Sequence, residues 1–175
     1  MAADLFVVPT VTFRLLFALV ILAHDRRQIV HVAVTEHPTA AWTAQQLRNA
    51  FPENEAPRYL LHDRDSVFAH VATTLEGMNI QEARTAPRSP WQNAYAERVI
   101  GSIRRECLDH VIVVNTKGLH GVLTNYLAYY LRSRTHLALG KDAPVTRPVS
   151  PLSAGRIVAT TEVGGLHHRY DRIAA

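Results

Sequence analysis

Three residues of this chain have the type and spacing for chemistry: Asp4, Asp63 and Glu97. Asp4 directly precedes the apolar run Leu5 to Val8, which closes at Pro9, Asp63 follows the apolar stretch Tyr59 to Leu61 with only His62 between, and Glu97 lies in the first full turn of a long amphipathic stretch. Carboxylates are the fitting ligands for hard divalent cations, which prefer oxygen. A pair of Mg²⁺ or Mn²⁺ ions held about 3.5 to 4 Å apart neutralises the charge that builds on phosphoryl oxygens during in-line displacement. Three carboxylates suffice to hold such ions. No covalent intermediate is needed, which agrees with the absence of a nucleophilic Ser or Cys motif.

The elements that must bring these residues together read as follows. Leu5 to Val8 and Phe13 to Leu22 are apolar runs with strand character, and Ile29 to Val34 is a third, paired antiparallel to the second through the polar turn at 24–27. Thr39 is an N-cap for a helix that carries Trp42, Gln46, Leu47 and Ala50 at helical spacing and ends at Pro52. Tyr59 to Leu61 predicts a fourth strand, Val67 to Met78 a second helix and Ile80 to Arg84 a fifth strand. A long helix is expected over 93–109, with Val99, Ile103 and Cys107 on one stripe, and a last one over 119–133. This order predicts an α/β domain, a mixed five-stranded sheet flanked by helices on both faces. Pro144, Pro148 and Pro151 break any regular element, so we place the domain at 1–140 and a partly irregular C-terminal tail at 141–175.

Composition narrows the partners. With 175 residues, 47% of them hydrophobic and 19% charged, the chain is a globular protein of one domain's size, not a disordered or fibrous one. A net charge of +4 and a pI near 9.6 permit a polyanionic partner. The lone Cys107 excludes an internal disulfide and a cysteine zinc cluster. The longest apolar stretch, Leu15 to Ala23, is far shorter than the roughly 20 residues a bilayer requires, and Asp4 is out of place at the start of a secretory signal. We therefore expect a cytoplasmic location and no membrane partner.

The strings Asp63-Arg64-Asp65-Ser66, Ser89-Pro90-Trp91-Gln92-Asn93-Ala94-Tyr95-Ala96-Glu97-Arg98 and Gly101-Ser102-Ile103-Arg104-Arg105-Glu106 resemble the catalytic core of insertion-sequence transposases and retroviral integrases, the DDE superfamily. The resemblance runs from about Asp4 to Leu139 and is strongest from Pro90 to Glu106. It implies an RNase H-like fold, with Asp4, Asp63 and Glu97 as the triad that is both catalytic and metal-ligating. It also implies Mg²⁺ or Mn²⁺ as a pair of ions per active site, and metal-dependent cleavage and joining of DNA strands in integration or transposition. The 58 residues between Asp4 and Asp63 fit the family, while the 33 between Asp63 and Glu97 are slightly fewer than usual, which marks a shortened loop. Asp65 stands where many members carry glycine; Asp63 holds the family position. Partners implied are mobile-element ends and target DNA, a second copy of the chain in a homodimer or higher synaptic complex, and a separate DNA-binding subunit.

Six residues are expected to contact DNA. Arg104 and Arg105, one to two turns beyond Glu97, would hold phosphates beside the scissile bond, Asn93 would approach the reacting end, and Arg64, Arg88 and Arg98 are further basic candidates, the last two beside the loop and helix start. The ordinary alternative for Arg104 and Arg105, and the favoured one for Arg132 and Arg134, is a solvated helix face. Trp91 is expected to anchor its loop on the core, and His62 to orient Asp63. Glu106, nine residues past Glu97 and about 13.5 Å along the axis, is too far to share the metal pair. Only three residues precede Asp4, so the competing expectation is a truncated, inactive remnant that at most binds DNA. A nuclease of RNase H type is a third reading, which the Asn-Ala-x-x-Glu helix start argues against.

Overall fold

A computed structural model describes residues 1–52 and 56–174. The strands β1 (Ala2–Pro9), β2 (Leu15–Leu22), β3 (Ile29–Thr35), β4 (Tyr59–His62) and β5 (Gln81–Arg84) form one sheet in the order β3-β2-β1-β4-β5. The β1–β2 and β2–β3 pairs are antiparallel, while β4 is parallel to both β1 and β5, so the sheet is mixed as expected. Helices α1 (Ala40–Ala50), α2 (Ala72–Gly77), α3 (Ala94–Glu106) and α4 (Thr116–Arg132) cover it.

The period-2 alternation of β1 and β2 assigns the two faces. Phe6, Val8, Leu16, Ala18, Val20 and Leu22 pack with Val99, Ile100 and Ile103 of α3 and Leu119, Leu123 and Tyr126 of α4. Ala3, Leu19 and Ile21 point the other way, onto Leu47 of α1 and Leu75 of α2. Cys107 is buried in the first cluster, and burial pushes its thiol up to about 11, as befits an inert core residue.

Local chemistry explains where elements start and stop. The Thr39 hydroxyl accepts from the Trp42 amide at 3.1 Å, the N-cap the sequence predicts. The stretch expected as one helix over 67–78 is divided: the Asp65 carboxylate accepts from Val67 N and caps a 3₁₀ turn at Ser66–Phe68, and α2 begins only at Ala72. The long helix is shorter than expected, with 3₁₀ turns at Pro90–Asn93 and Leu108–His110 on either side. Helix α4 gains a turn because Asn115 Oδ1 accepts from Gly118 N, a cap hidden in a segment that reads as loop.

The tail is irregular through its prolines and then forms a hairpin, β6 (Arg156–Glu162) with β7 (His167–Ile173), paired in register from Arg156–Ile173 to Glu162–His167. This small sheet is separate from the main one. It docks through His167, whose ring stacks on Tyr129 at 4.2 Å and whose Nε2 bonds the Glu106 carbonyl at 2.8 Å. Gly155 opens the hairpin at φ 109°, where a Cβ would lie 2.1 Å from the Ile173 carbonyl oxygen, so only glycine fits. Among the described residues no helix is long and apolar enough to cross a membrane.

Candidate active site

Strands β1 and β4 run parallel with Ala2 level with Leu61, so two residues on, at the same height, come Asp4 and Asp63. Asp63 is the first residue past the end of β4, whose last carbonyl, that of His62, accepts from Thr85 N at 3.0 Å. Asp4 lies on the same side of β1 as Phe6 and Val8, the side that α3 covers.

Two hydrogen bonds lay α3 along β1. Asn93 Nδ2 donates to the Ala3 carbonyl at 3.2 Å just before the helix begins, and Arg104 Nη2 donates to the Val7 carbonyl at 3.0 Å near its end. Glu97 lies between them on the same stripe, one turn after Asn93. Past Ala2, β1 has no rung to β4, which leaves the Val7 carbonyl open to Arg104.

Electrostatics couple these carboxylates. Asp4 has its pKa raised to about 7, first by burial and then by the negative charges of Asp63, Glu97 and Asp65, against the opposing hydrogen bond from Leu5 N. Four carboxylates therefore share one field. Oxygen donors and mutual repulsion of this kind fit a hard divalent cation. Among the described residues, however, no three His, Cys, Asp or Glu side chains stand close enough to hold one ion.

Behind Asp63 the support is specific. His62 is 1% exposed; its Nδ1 bonds the Asp63 carbonyl oxygen at 2.6 Å, its Nε2 bonds Glu82 at 3.0 Å, and its ring stacks on Phe68 at 4.6 Å. The Asp63 carboxylate accepts from Asp65 N at 3.0 Å, and Arg84 bonds Glu82 at 2.9 Å. Glu82 is held below its ordinary pKa by Arg84 and His62, despite burial.

Residues 78–144 match the family model of the integrase core domain. The chain has the fold of a DDE integrase and transposase catalytic core. A chain of the simian T-cell lymphotropic virus intasome, solved in complex with PP2A regulatory subunit B56 gamma, aligns at a TM-score of 0.66 and 12% identity over 97% of this chain. The present chain spans 64% of that chain's length. The HTLV-2 integrase catalytic core, solved with magnesium, aligns at 0.60 and 12% identity over 82% of this chain and 90% of its own. The Mos1 transposase catalytic domain, solved with Raltegravir and Mg, gives 0.59 and 20% identity over 73% and 69%. No curated protein matches the sequence.

Within this fold the six residues expected at DNA divide. Arg98 and Arg105 are exposed on α3, Arg88 is exposed in the loop with φ 57°, and Arg64 is exposed while its Nε bonds the Thr85 carbonyl at 3.0 Å. Arg104 is exposed but tied to Val7, with its guanidinium 5.4 Å over the Phe6 ring. Asn93 is 4% exposed; its amide faces the Ala3 carbonyl, and its Oδ1 is buried without a partner among the described residues, so it positions α3 rather than facing solvent.

Two other expectations need correction. Trp91 is 68% exposed and does not anchor its loop; that work falls to Gln92, whose Oε1 accepts from Ala86 N at 2.6 Å. Arg134 is not a solvated helix residue, because it grips Glu106 with two bonds of 2.7 and 2.6 Å while Tyr126 OH donates to the same carboxylate at 2.8 Å. That pairing gives Glu106 its task, joining the ends of α3 and α4. Sequence reading also passed over Glu82, whose alternation in β5 gave no sign that it backs His62.

Proposed function

We propose that this chain acts on DNA as a metal-dependent polynucleotidyl transferase, cleaving and joining strands in integration or transposition. The observation that carries this reading is the placement of Asp4 on β1 level with Asp63 at the end of β4, on the side of the sheet covered by the helix that bears Glu97; burial and these neighbouring carboxylates raise the Asp4 pKa in accord with it. Asp4, Asp63 and Glu97 would hold the divalent cation, a pair of Mg²⁺ or Mn²⁺ ions per site. When bound, the metal supplies Lewis-acid stabilisation of charge on the phosphoryl oxygens.

The chain's own residues do the rest. Asn93 and Arg104 fix α3 against β1 and so set the height of Glu97 beside Asp4. His62 and the Asp65 amide hold Asp63 from behind. Arg64, Arg88, Arg98 and Arg105 offer charge-assisted bonds to backbone phosphates, with a water or a DNA 3′-hydroxyl as attacking group. Residues 1–140 form the catalytic unit and 141–175 an appended one. DNA ends, target DNA and a second copy of the chain are the partners that follow, with cytoplasmic location as the setting.

Incubating the full chain with end-labelled duplex oligonucleotides tests this. Nicked or joined products should form with Mg²⁺ or Mn²⁺ and vanish with EDTA. A second reading, a remnant that binds DNA without cutting it, is favoured by the incomplete convergence of the carboxylates. It predicts salt-dependent binding and no products with either metal.

A further inference from the structure

On the side of α3 next to the Glu97 stripe lies a cleft of about 510 Å³, between α3, the turn joining β2 to β3 and the turn after α4. Arg98 and Arg105, two helical turns apart, form one wall; Arg27 and Arg134 face them from the other elements, with Ser102 and His136 buried at the floor. Arg98 follows Glu97 by one residue, about 100° around the helix, so this cleft adjoins the carboxylates without including them. Neither Asp4, Asp63 nor Glu97 lines it.

The charge inside is unbalanced. Among the described residues no carboxylate lines the cleft. Arg134 is neutralised by Glu106, whereas Arg27, Arg98 and Arg105 form no ion pair among the described residues. Arg27 instead packs over the ring of Tyr95 at 5.6 Å. His136 senses the same field: burial, then Arg134 and Arg27, lower its pKa to about 4 and keep the ring neutral. The absence of a side chain at Gly101 gives the Arg105 guanidinium room to fold along the helix, 3.0 Å from where a Cβ would stand. Three unpaired guanidiniums from two elements, over a buried hydroxyl, match the forked donors that a tetrahedral phosphate accepts.

We propose that this cleft is a phosphate-binding site that holds the backbone of a DNA segment alongside the carboxylate face. The assignment to DNA rests on the function proposed above; the phosphate chemistry rests on the cleft. Arg27 and the buried floor make it a built recess rather than a continuation of the basic face of α3.

Binding without catalysis separates the two ideas. The full chain is titrated into a fluorescein-labelled duplex in EDTA, over a range of salt, by anisotropy, and into inorganic pyrophosphate by calorimetry. The Arg98→Ala/Arg105→Ala chain should bind duplex at least ~10-fold more weakly at physiological salt, with the salt slope smaller by about 2. The Arg98→Lys/Arg105→Lys chain, which retains the charges, should recover most of that slope. Removing two exposed arginines elsewhere, in Arg132→Ala/Arg156→Ala, should leave the slope unchanged. Wild-type affinity and slope in the Arg98→Ala/Arg105→Ala chain overturn the proposal, as does an equal loss in the Arg132→Ala/Arg156→Ala chain. Pyrophosphate binding that depends on Arg98 and Arg105 while duplex affinity does not would overturn the assignment to DNA. Because no metal is present, these results stand whether or not the chain cuts DNA.

Discussion

The Ala3 carbonyl accepts a hydrogen bond from Asn93 Nδ2 across 90 residues of sequence, tying the start of α3 to β1 one residue before Asp4. The first and last acids of the proposed triad are thereby set from a single fixed point, since Glu97 follows Asn93 by one helical turn. Asn93→Ala removes a buried donor and leaves the Ala3 carbonyl unpaired, so urea unfolding should show a loss of about 1 to 3 kcal/mol. DNA cleavage should fall further than this loss of stability accounts for.

Asp4 gives the stability a pH dependence of unusual sign. Its folded pKa is raised above the unfolded value, so the native state holds a proton that the unfolded chain has released. Stability from this group is greatest below the ordinary carboxylate pKa and is lost as pH rises toward about 7. Without metal, Asp4→Asn should be more stable than wild type at pH 8, by up to about 4 kcal/mol, and equal to it near pH 3. Thermal melts across that range check it.

Glu106 shows the opposite sign. Arg134 and Tyr126 hold its pKa below the ordinary value despite burial, so its contribution is present at neutral pH and fades as pH falls through the folded pKa. Because the pair is about a quarter exposed, Glu106→Gln should cost only ~1 to 2 kcal/mol at pH 7 and almost nothing in strong acid. Comparing urea midpoints at the two pH values measures it.

Gly155→Ala should loosen the C-terminal hairpin alone. A methyl there meets the Ile173 carbonyl, which breaks the Arg156–Ile173 end of the β6–β7 pairing. Hydrogen exchange should speed at 156–173 while the amides of β1, β2 and β3 keep their protection. Equal loss of protection in the main sheet would show that 141–175 is not a separate unit.

Much of this was legible in the chain. Unbroken apolar runs marked β2 and β3, Thr39 announced α1, and the string around Glu97 marked α3 by residue type. Side chains that act on distant backbone were not legible: Asn93 on Ala3, Arg104 on Val7, His167 on Glu106. Nothing local distinguishes an arginine that reaches a strand carbonyl from one that reaches water. Glu82 was invisible for the same reason, because only the parallel pairing of β4 with β5 sets it against His62. The hairpin at 156–173 was hidden by its exposed, polar strands, which lack the alternation that burial imposes.

The central claim is that Asp4, Asp63 and Glu97 act together on DNA. Its most direct test compares wild type with Glu97→Gln on a labelled duplex in Mg²⁺ and in Mn²⁺, with folding checked by circular dichroism. Glu97 is exposed, so the variant should fold as wild type does. Products from wild type and none from the folded variant are the predicted result; undiminished cleavage by Glu97→Gln would contradict the account.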